Sequence, residues 1–363
     1  MLAVSGNRRS RGACLLSEFH LDPRKQSILK AVVTDYVRTA EPVGSHALVT
    51  RYTFGVRSAT IRNEMAELAE LGYLQQPHTS AGRIPSDLGY RFYVDRLVEL
   101  AQVSGGEAAS ARKKLVSRAA EVELILGETC RILSDLARYT SLATHPVVKQ
   151  SKITHVSVAG VGQSKLLAVL VLDNGSVFHE LLQVDTRWNS LDPVVATNFL
   201  MRKLGGLTLE SAGDLVPPAM TDDPPALVDL LRKMVDFIDR ELRQVEESDV
   251  HMEGASYIVA QPEFKDAERL EMVLSVLEQR KVLYRMFSSV FLGPEVTVII
   301  GQENPVAAMR DCSFVGAKYR IGGRVAGTIG VVGPTRMDYG RAIAAVEFMA
   351  HNLGELLTQL SVM

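Results

Sequence analysis

Ile28, Leu29, Val32, Val33, Tyr36 and Val37 recur at the three- and four-residue steps of one helix face. Asp22-Pro23 ahead of them supplies a capping side chain and a proline for the first helical position. Glu41-Pro42-Val43-Gly44 is turn chemistry that ends this helix, and Ser45 caps a short second one that runs to about Tyr52. Gly55 breaks the second helix. Behind Ser58, a further cap residue, Ile61, Met65 and Leu68 form a helical stripe that stops at Leu71-Gly72. Tyr73 to Gln76 reads as extended, and Pro77 to Pro85 as a polar, turn-rich loop. Three short helices with a tight turn before the third, followed by a hairpin-like loop, predict a winged helix-turn-helix.

The third helix is the reading helix of such a unit. With Ile61 inward, a rotation of about 100° per residue places Ala59, Asn63, Ala66, Glu67 and Glu70 on the outer pole, flanked by Thr60 and Arg62. Small Ala59 permits close approach to a major groove, Asn63 suits an adenine edge, and Arg57 and Arg62 suit guanine or phosphate. Phosphate is the commoner partner for both arginines, because half to two-thirds of protein–DNA hydrogen bonds go to the backbone. Glu67 and Glu70 stay clear of the phosphates. Ser58 has two readings, a helix cap and a DNA contact. In the loop, His78, Thr79 and Arg83 face phosphate or the minor groove, with a solvated loop tip as the plain alternative. Together with Ser45 at the start of the second helix, these form the candidate DNA-binding set.

Further on, Leu115, Ala119, Val122, Leu126, Thr129, Leu133, Leu136 and Thr140 alternate at four- and three-residue steps, a helical seam between about Glu99 and Pro146. Strand patterns follow at Ile153 to Val161, Leu166 to Leu172 and Val177 to Val184, with Asp173-Asn174-Gly175 as a hairpin turn. A later group, Val296 to Gly301, Phe314 to Tyr319 and Val325 to Val332, precedes a final helix from about Asp338 to Leu360. Hairpin connections favour a largely antiparallel α+β sheet. Between the two strand groups, a Pro/Asp-rich stretch from Val216 to Pro225 and a helix from Ala226 to about Val245 mark a module inserted at residues 189–262. Trp188 is placed as an anchor at its edge.

Length is consistent with this partition, since 363 residues exceed the roughly 150 expected of one domain. Net charge is only -2, but residues 1–100 carry 13 Lys/Arg against 10 Asp/Glu, leaving 27 against 32 for the remainder. A modestly basic head on an acidic body accommodates a nucleic-acid module. No apolar run approaches the about 20 residues of a spanning helix, and residues 1–20 read as a floppy basic leader; a cytoplasmic protein is expected.

Chemistry of other kinds finds little support. Cys14, Cys130 and Cys312 lie far apart, so neither a disulfide framework nor a zinc motif is expected, and Cys312 reads as a small buried hydrophobe. Eight histidines form no HxxxH or HExxH pair, and there is no GxSxG elbow. Gly160-Val161-Gly162-Gln163-Ser164-Lys165 lacks phosphate-loop spacing and leads into a strand. Gly330 to Arg336 reads as a tight connection whose glycines allow close packing, rather than an anion loop. No catalytic residue, cofactor or metal site is therefore expected, and the chain is not read as an enzyme.

Leu21 to Leu97, with its segments EPVGS, SATIRNEMAELAELGYL and HTSAGRIPSDLGYRFYVD, closely resembles the N-terminal domain of the heat-inducible transcription repressor family HrcA. IGQEN (Ile300 to Asn304), CSFVGAKY (Cys312 to Tyr319) and GTIGVVGPTRMDY (Gly327 to Tyr339) are also similar to that family. The resemblance runs from about Leu21 to the end; the leader departs from it. It implies a multi-domain α+β protein: a winged-helix DNA-binding domain at residues 21–100, a GAF-like antiparallel sheet domain at 101–188 and 263–363, and an inserted dimerising domain at 189–262. It further implies a homodimer that represses chaperone operons through the inverted repeat CIRCE and is kept active by the chaperonin GroEL. The alternatives are a metabolite-sensing winged-helix regulator with a pocket in the GAF-like domain and, weakest, an enzyme with a DNA-binding head.

Overall fold

The computed structural model describes residues 21–78, 81–116, 122–146, 151–161, 164–184, 192–215, 223–247, 250–279, 282–283 and 293–362. Expectations for the leader, Thr79, Ala119, Gly162, Gln163, Trp188 and residues 216–222 lie outside these residues.

Helices α1 (Pro23–Thr39), α2 (Ser45–Arg51) and α3 (Ser58–Glu70) lead into an antiparallel pair, β1 (Leu74–Gln75) and β2 (Ile84–Pro85). Helix α4 (Asp87–Phe92) continues into a π turn, Tyr93–Leu97. Two helices, α5 (Gly105–Val116) and α6 (Val122–Ala137), precede strand β3 (Thr140–Thr144). The expected seam therefore ends early: Thr140 begins a strand. Its hydroxyl donates to the Gly254 carbonyl, and a β-branched residue paired in a sheet satisfies the pattern as well as a helix does.

Strands β4 (Ile153–Gly160), β5 (Lys165–Leu172) and β6 (Val177–Gln183) form an antiparallel meander. Helices α7 (Pro193–Leu204), α8 (Leu209–Gly213) and α9 (Pro225–Glu247) follow. Leu166, Ala168, Leu170 and Leu172 of β5 share one core with Phe199, Leu200, Leu230, Met234, Phe237 and Ile238 of these helices. Strand β7 (Val250–Glu253), α10 (Ser256–Val259), α11 (Ala267–Glu278), β8 (Val296–Ile300), β9 (Cys312–Ile321), β10 (Arg324–Pro334) and α12 (Tyr339–Val362) complete the chain.

Five strands make the larger antiparallel sheet in the order β7-β3-β10-β9-β8. Its two faces alternate residue by residue, as a strand's period of two requires. Ala143, Val315, Ile329 and Val331 join a core with α6, α12 and the three N-terminal helices, whereas Leu142, Phe314 and Val332 pack with α10 and α11 on the other side. The first strand group does not join this sheet, contrary to the sequence-based expectation of one sheet domain. Both faces of β5 are apolar, which announces a strand without naming its partners.

The smaller sheet and its helices are instead looped out between β3 and β7, which are direct neighbours with Thr144 opposite Val250. Chain ends held side by side in a ladder leave such an excursion almost unconstrained, because closing a longer loop costs little more than closing a short one. No helix among the described residues is long and apolar enough to cross a membrane.

Candidate nucleic-acid interface

Asp22 accepts hydrogen bonds from the backbone of Arg24 (2.9 Å) and Lys25 (3.0 Å), capping α1 as its sequence foretells. The two serine caps do not form. Ser45 and Ser58 are the first helical residues of α2 and α3, behind Gly44 and Arg57, and neither Gly44 nor Arg57 makes a side-chain cap bond. Their hydroxyls meet each other at 3.1 Å, with Ser45 buried, so the pair fastens the start of α3 onto α2.

Asp35 performs a second fastening. This carboxylate is 1 % exposed and accepts from Arg51 (2.7 Å), the Tyr52 hydroxyl (3.0 Å) and Arg38 (3.3 Å), tying α1 to the end of α2. Gly55, at φ 70°, then turns the chain toward α3 in a conformation that side chains disfavour. The sequence pattern around Asp35 is that of a core face, and a lone acid within an apolar stripe was the available signal of a buried ion pair.

Helix α3 turns Ile61, Met65 and Leu68 inward and leaves Arg57, Ala59, Arg62 and Asn63 exposed, with Thr60 half-buried. Its first turn holds no acidic residue, so the partial positive charge of the helix start is not offset. Two of the three later acids are engaged elsewhere. Lys25 sits 2.9 Å from Glu64 and 3.0 Å from Glu67, and these carboxylates hold its ammonium above the ordinary lysine range. Negative charge on α3 is thereby drawn toward α1 and away from the helix start.

The loop after α3 is anchored at its base. Arg83 and Val43 exchange two backbone hydrogen bonds of 2.9 Å, so the turn before α2 contributes a third short segment beside β1 and β2. Gly82 makes this possible, since a Cβ there would fall 2.4 Å from the Val43 carbonyl. Arg83 is half-buried and His78 is exposed.

Three cross-links lock this head onto the larger sheet. Arg91 of α4 grips Glu303 through two nitrogens (2.8 and 2.6 Å) and also donates to the Val298 carbonyl. Asp87 accepts from the Gln302 backbone at 2.9 Å, against Gly301, where a Cβ would collide with the carboxylate. Arg336, after β10, donates to the Val37 carbonyl at the end of α1 and to Glu263. The IGQEN and SDLGYRF segments are thus two halves of one joint. Removing Arg91 or Glu303 is expected to weaken operator binding roughly fivefold, and the double variant to be no worse than either single one, giving a coupling of about 1 kcal/mol in a double-mutant cycle.

Elsewhere, β10 runs on to Pro334, so Gly330 to Pro334 are ladder residues and not the expected connection, although Gly330 does pack closely on the Val315 carbonyl. Cys312 is fully buried, with its thiol pushed up to about 12 by desolvation. Both faces of the larger sheet are filled, among others by Tyr319 and Phe314. Away from the head, Glu123, His145 and His251 converge, although their sequence spacing carries no metal signature.

Residues 123–343 match the family model described as the HrcA protein C terminal domain. Proteins named heat-inducible transcription repressor HrcA from Desulforamulus reducens and Pelotomaculum thermopropionicum are each 37 % identical over 340 residues, covering 94 % of this chain and 98 % of theirs. The chain belongs to the HrcA family. A relative of the same name from Moorella thermoacetica is also 37 % identical, over 94 % of this chain and 99 % of its own. The crystal structure of a hypothetical protein at 2.2 Å resolution, 23 % identical, superposes with a TM-score of 0.61 over 94 % of this chain and 98 % of that one. This HrcA-family chain shares that protein's fold, a multi-domain α+β arrangement with antiparallel sheets.

Proposed function

We propose that this chain acts as a homodimer on an inverted-repeat operator of the CIRCE type, placing α3 of each subunit in a major groove. Negative regulation of heat-shock transcription follows from its membership of the HrcA family, which is a repressor family and not an enzyme family. The observation that carries the DNA reading is α3 itself: an uncompensated helix start bearing exposed Arg57, Ala59, Arg62 and Asn63, with Glu64 and Glu67 held by Lys25 and Glu70 at the far end of the helix. In this reading residues 21–100 form a winged-helix domain, with the Val43–Arg83 bridge bracing the wing. The five-stranded sheet with helices on both faces is the GAF-like domain, and residues 151–247 form the insert. The protein works in the cytoplasm, where its operator lies.

Dimerisation through the insert is supported by the outer face of its sheet. Leu167, Val169 and Val171 of β5 stand beside Leu181 and Val177 of β6, which are 53 % and 57 % exposed. On this face the apolar pairs Leu167–Leu181 and Val171–Val177 flank the pair Val169–His179. Exposed apolar side chains grouped in this way mark an interaction site, and a second copy of the same face makes a two-fold contact that matches the symmetry of an inverted repeat.

Chaperonin control fits a multi-domain dimer of which only part is folded and competent. Apparent operator affinity then scales with the competent fraction, and GroEL raises that fraction without touching DNA. Gel shifts with and without added chaperonin test this step; equal binding at growth temperature removes it.

Asn63→Ala and Arg57→Ala separate base reading from phosphate contact. Asn63→Ala is expected to cost about 1–3 kcal/mol on the operator and to relax preference at one base pair. Arg57→Ala is expected to weaken operator and random DNA alike and to reduce the slope of log K against log salt by about 0.9. Equal losses on both DNAs for Asn63→Ala refute its base-reading role.

A further inference from the structure

Glu123 in the first turn of α6, His145 immediately after β3 and His251 within β7 bring one carboxylate and two imidazoles together from three elements. The His145 Nε2 lies 3.3 Å from one oxygen of Glu123, and the His251 Nε2 lies 3.1 Å from the other. The imidazole rings stand side by side, with centroids 5.0 Å apart and planes tilted by 31°. One donor atom from each residue falls within 4.8 Å of the others. The register explains the meeting. Ala143 lies opposite His251 in the β3–β7 ladder, and His145, two residues beyond Ala143, emerges on the same side, where α6 packs.

The two imidazole nitrogens face different oxygens of one carboxylate, so a purely hydrogen-bonded arrangement requires an N–H on each Nε2 aligned with its own oxygen. A neutral imidazole has one N–H and one lone pair, and a carboxylate only accepts. The His251 Nε2 is buried and, despite its closeness to the carboxylate, makes no aligned hydrogen bond. A cation held between the three residues gives the His251 Nε2 the partner it lacks. Zinc bonds nitrogen and carboxylate oxygen at about 2.0–2.2 Å, which places tetrahedral ligand atoms ~3.3 Å apart; each imidazole meets its own Glu123 oxygen at about that spacing, and binding draws the three donors together within the 4.8 Å they span.

The geometry points to a divalent transition-metal site formed by Glu123, His145 and His251, with zinc the best-suited ion and water as the fourth ligand. Nitrogen-rich donor sets with one carboxylate favour zinc and its neighbours over magnesium or calcium. Its position gives it a purpose. The chain leaves for the insert directly after His145 and returns directly before His251, so a metal there staples both crossings to α6 and restrains the insert on the larger sheet. This site does not depend on the DNA-binding reading.

The test uses the full-length chain, stripped with chelator and titrated with Zn²⁺ against a chromophoric competitor, and with Co²⁺ followed by visible absorption. One equivalent per chain and the intense bands of four-coordinate Co²⁺ are expected. Glu123→Gln, His145→Gln and His251→Gln should each weaken binding at least ~10-fold, as loss of one of three protein ligands demands. Glu123 is 64 % exposed, so its substitution leaves the fold intact and keeps the test decisive even if a histidine variant misfolds. His351→Gln, at an exposed histidine–glutamate pair on α12, should change nothing. Binding no tighter than millimolar, or stoichiometric binding that survives Glu123→Gln, overturns the site.

Discussion

Leu181→Asp is expected to turn the dimer into monomers and to lower operator affinity by roughly 10²–10⁴-fold, the advantage that two linked heads hold over one. Leu181 lies opposite Leu167 in the insert sheet, on a face with Val169, Val171 and Val177. Its side chain is half-exposed, so aspartate costs the monomer little, whereas a carboxylate buried between two copies of this face is desolvated without a partner. Sedimentation velocity reads the oligomeric state and gel shift the affinity; circular dichroism should remain unchanged. A Leu181→Asp protein that still sediments as a dimer places the interface elsewhere. A monomer that binds the full operator as tightly as the parent removes the need for two heads.

Asp35→Ala is expected to destabilise the DNA-binding head by about 2–4 kcal/mol while sparing the insert. Asp35 is the shared acceptor of Arg51, Arg38 and Tyr52, and its loss leaves the Tyr52 hydroxyl and two cations without their common partner. Arg51 and Arg38 keep contact with water, at 46 % and 65 % exposure, which holds the effect toward the lower end of that range. Amide exchange should accelerate in α1, α2 and α3 and stay unchanged in α9, and operator binding should fail at a lower temperature than in the parent. Arg38→Ala is the contrasting variant. Its exposed pair should contribute less than about 1 kcal/mol. If Asp35→Ala melts no earlier than Arg38→Ala, the buried carboxylate is not what joins α1 to α2.

The head was legible because its information is local. The stripes of α1 and α3, the turn residues before α2 and the start at Asp22-Pro23 each depend on neighbours within a few residues, and a helix's burial follows from its own periodicity. The outward placement of Ala59, Arg62 and Asn63 followed from the inward placement of Ile61 alone. The serine caps were misread for a related reason. A serine near a helix start suits a cap and a helix–helix contact equally, and the Ser45–Ser58 bond is decided by how α2 lies on α3.

What the sequence determined by itself is where the three head helices and most strands of the two sheets lie, though not β3 or β7, which face of α3 is free, and, through long matching segments, the family to which the chain belongs. Tertiary structure alone decided which strands share a sheet, that β3 and β7 meet across an intervening module, that Arg91 finds Glu303 and Arg336 finds Val37, and that Glu123, His145 and His251 converge. The division has one physical cause. Helix periodicity and turn chemistry are properties of adjacent residues, whereas strand pairing, buried ion pairs and ligand clusters join groups a hundred or more positions apart, and only the folded chain's packing selects among the many partners that composition allows.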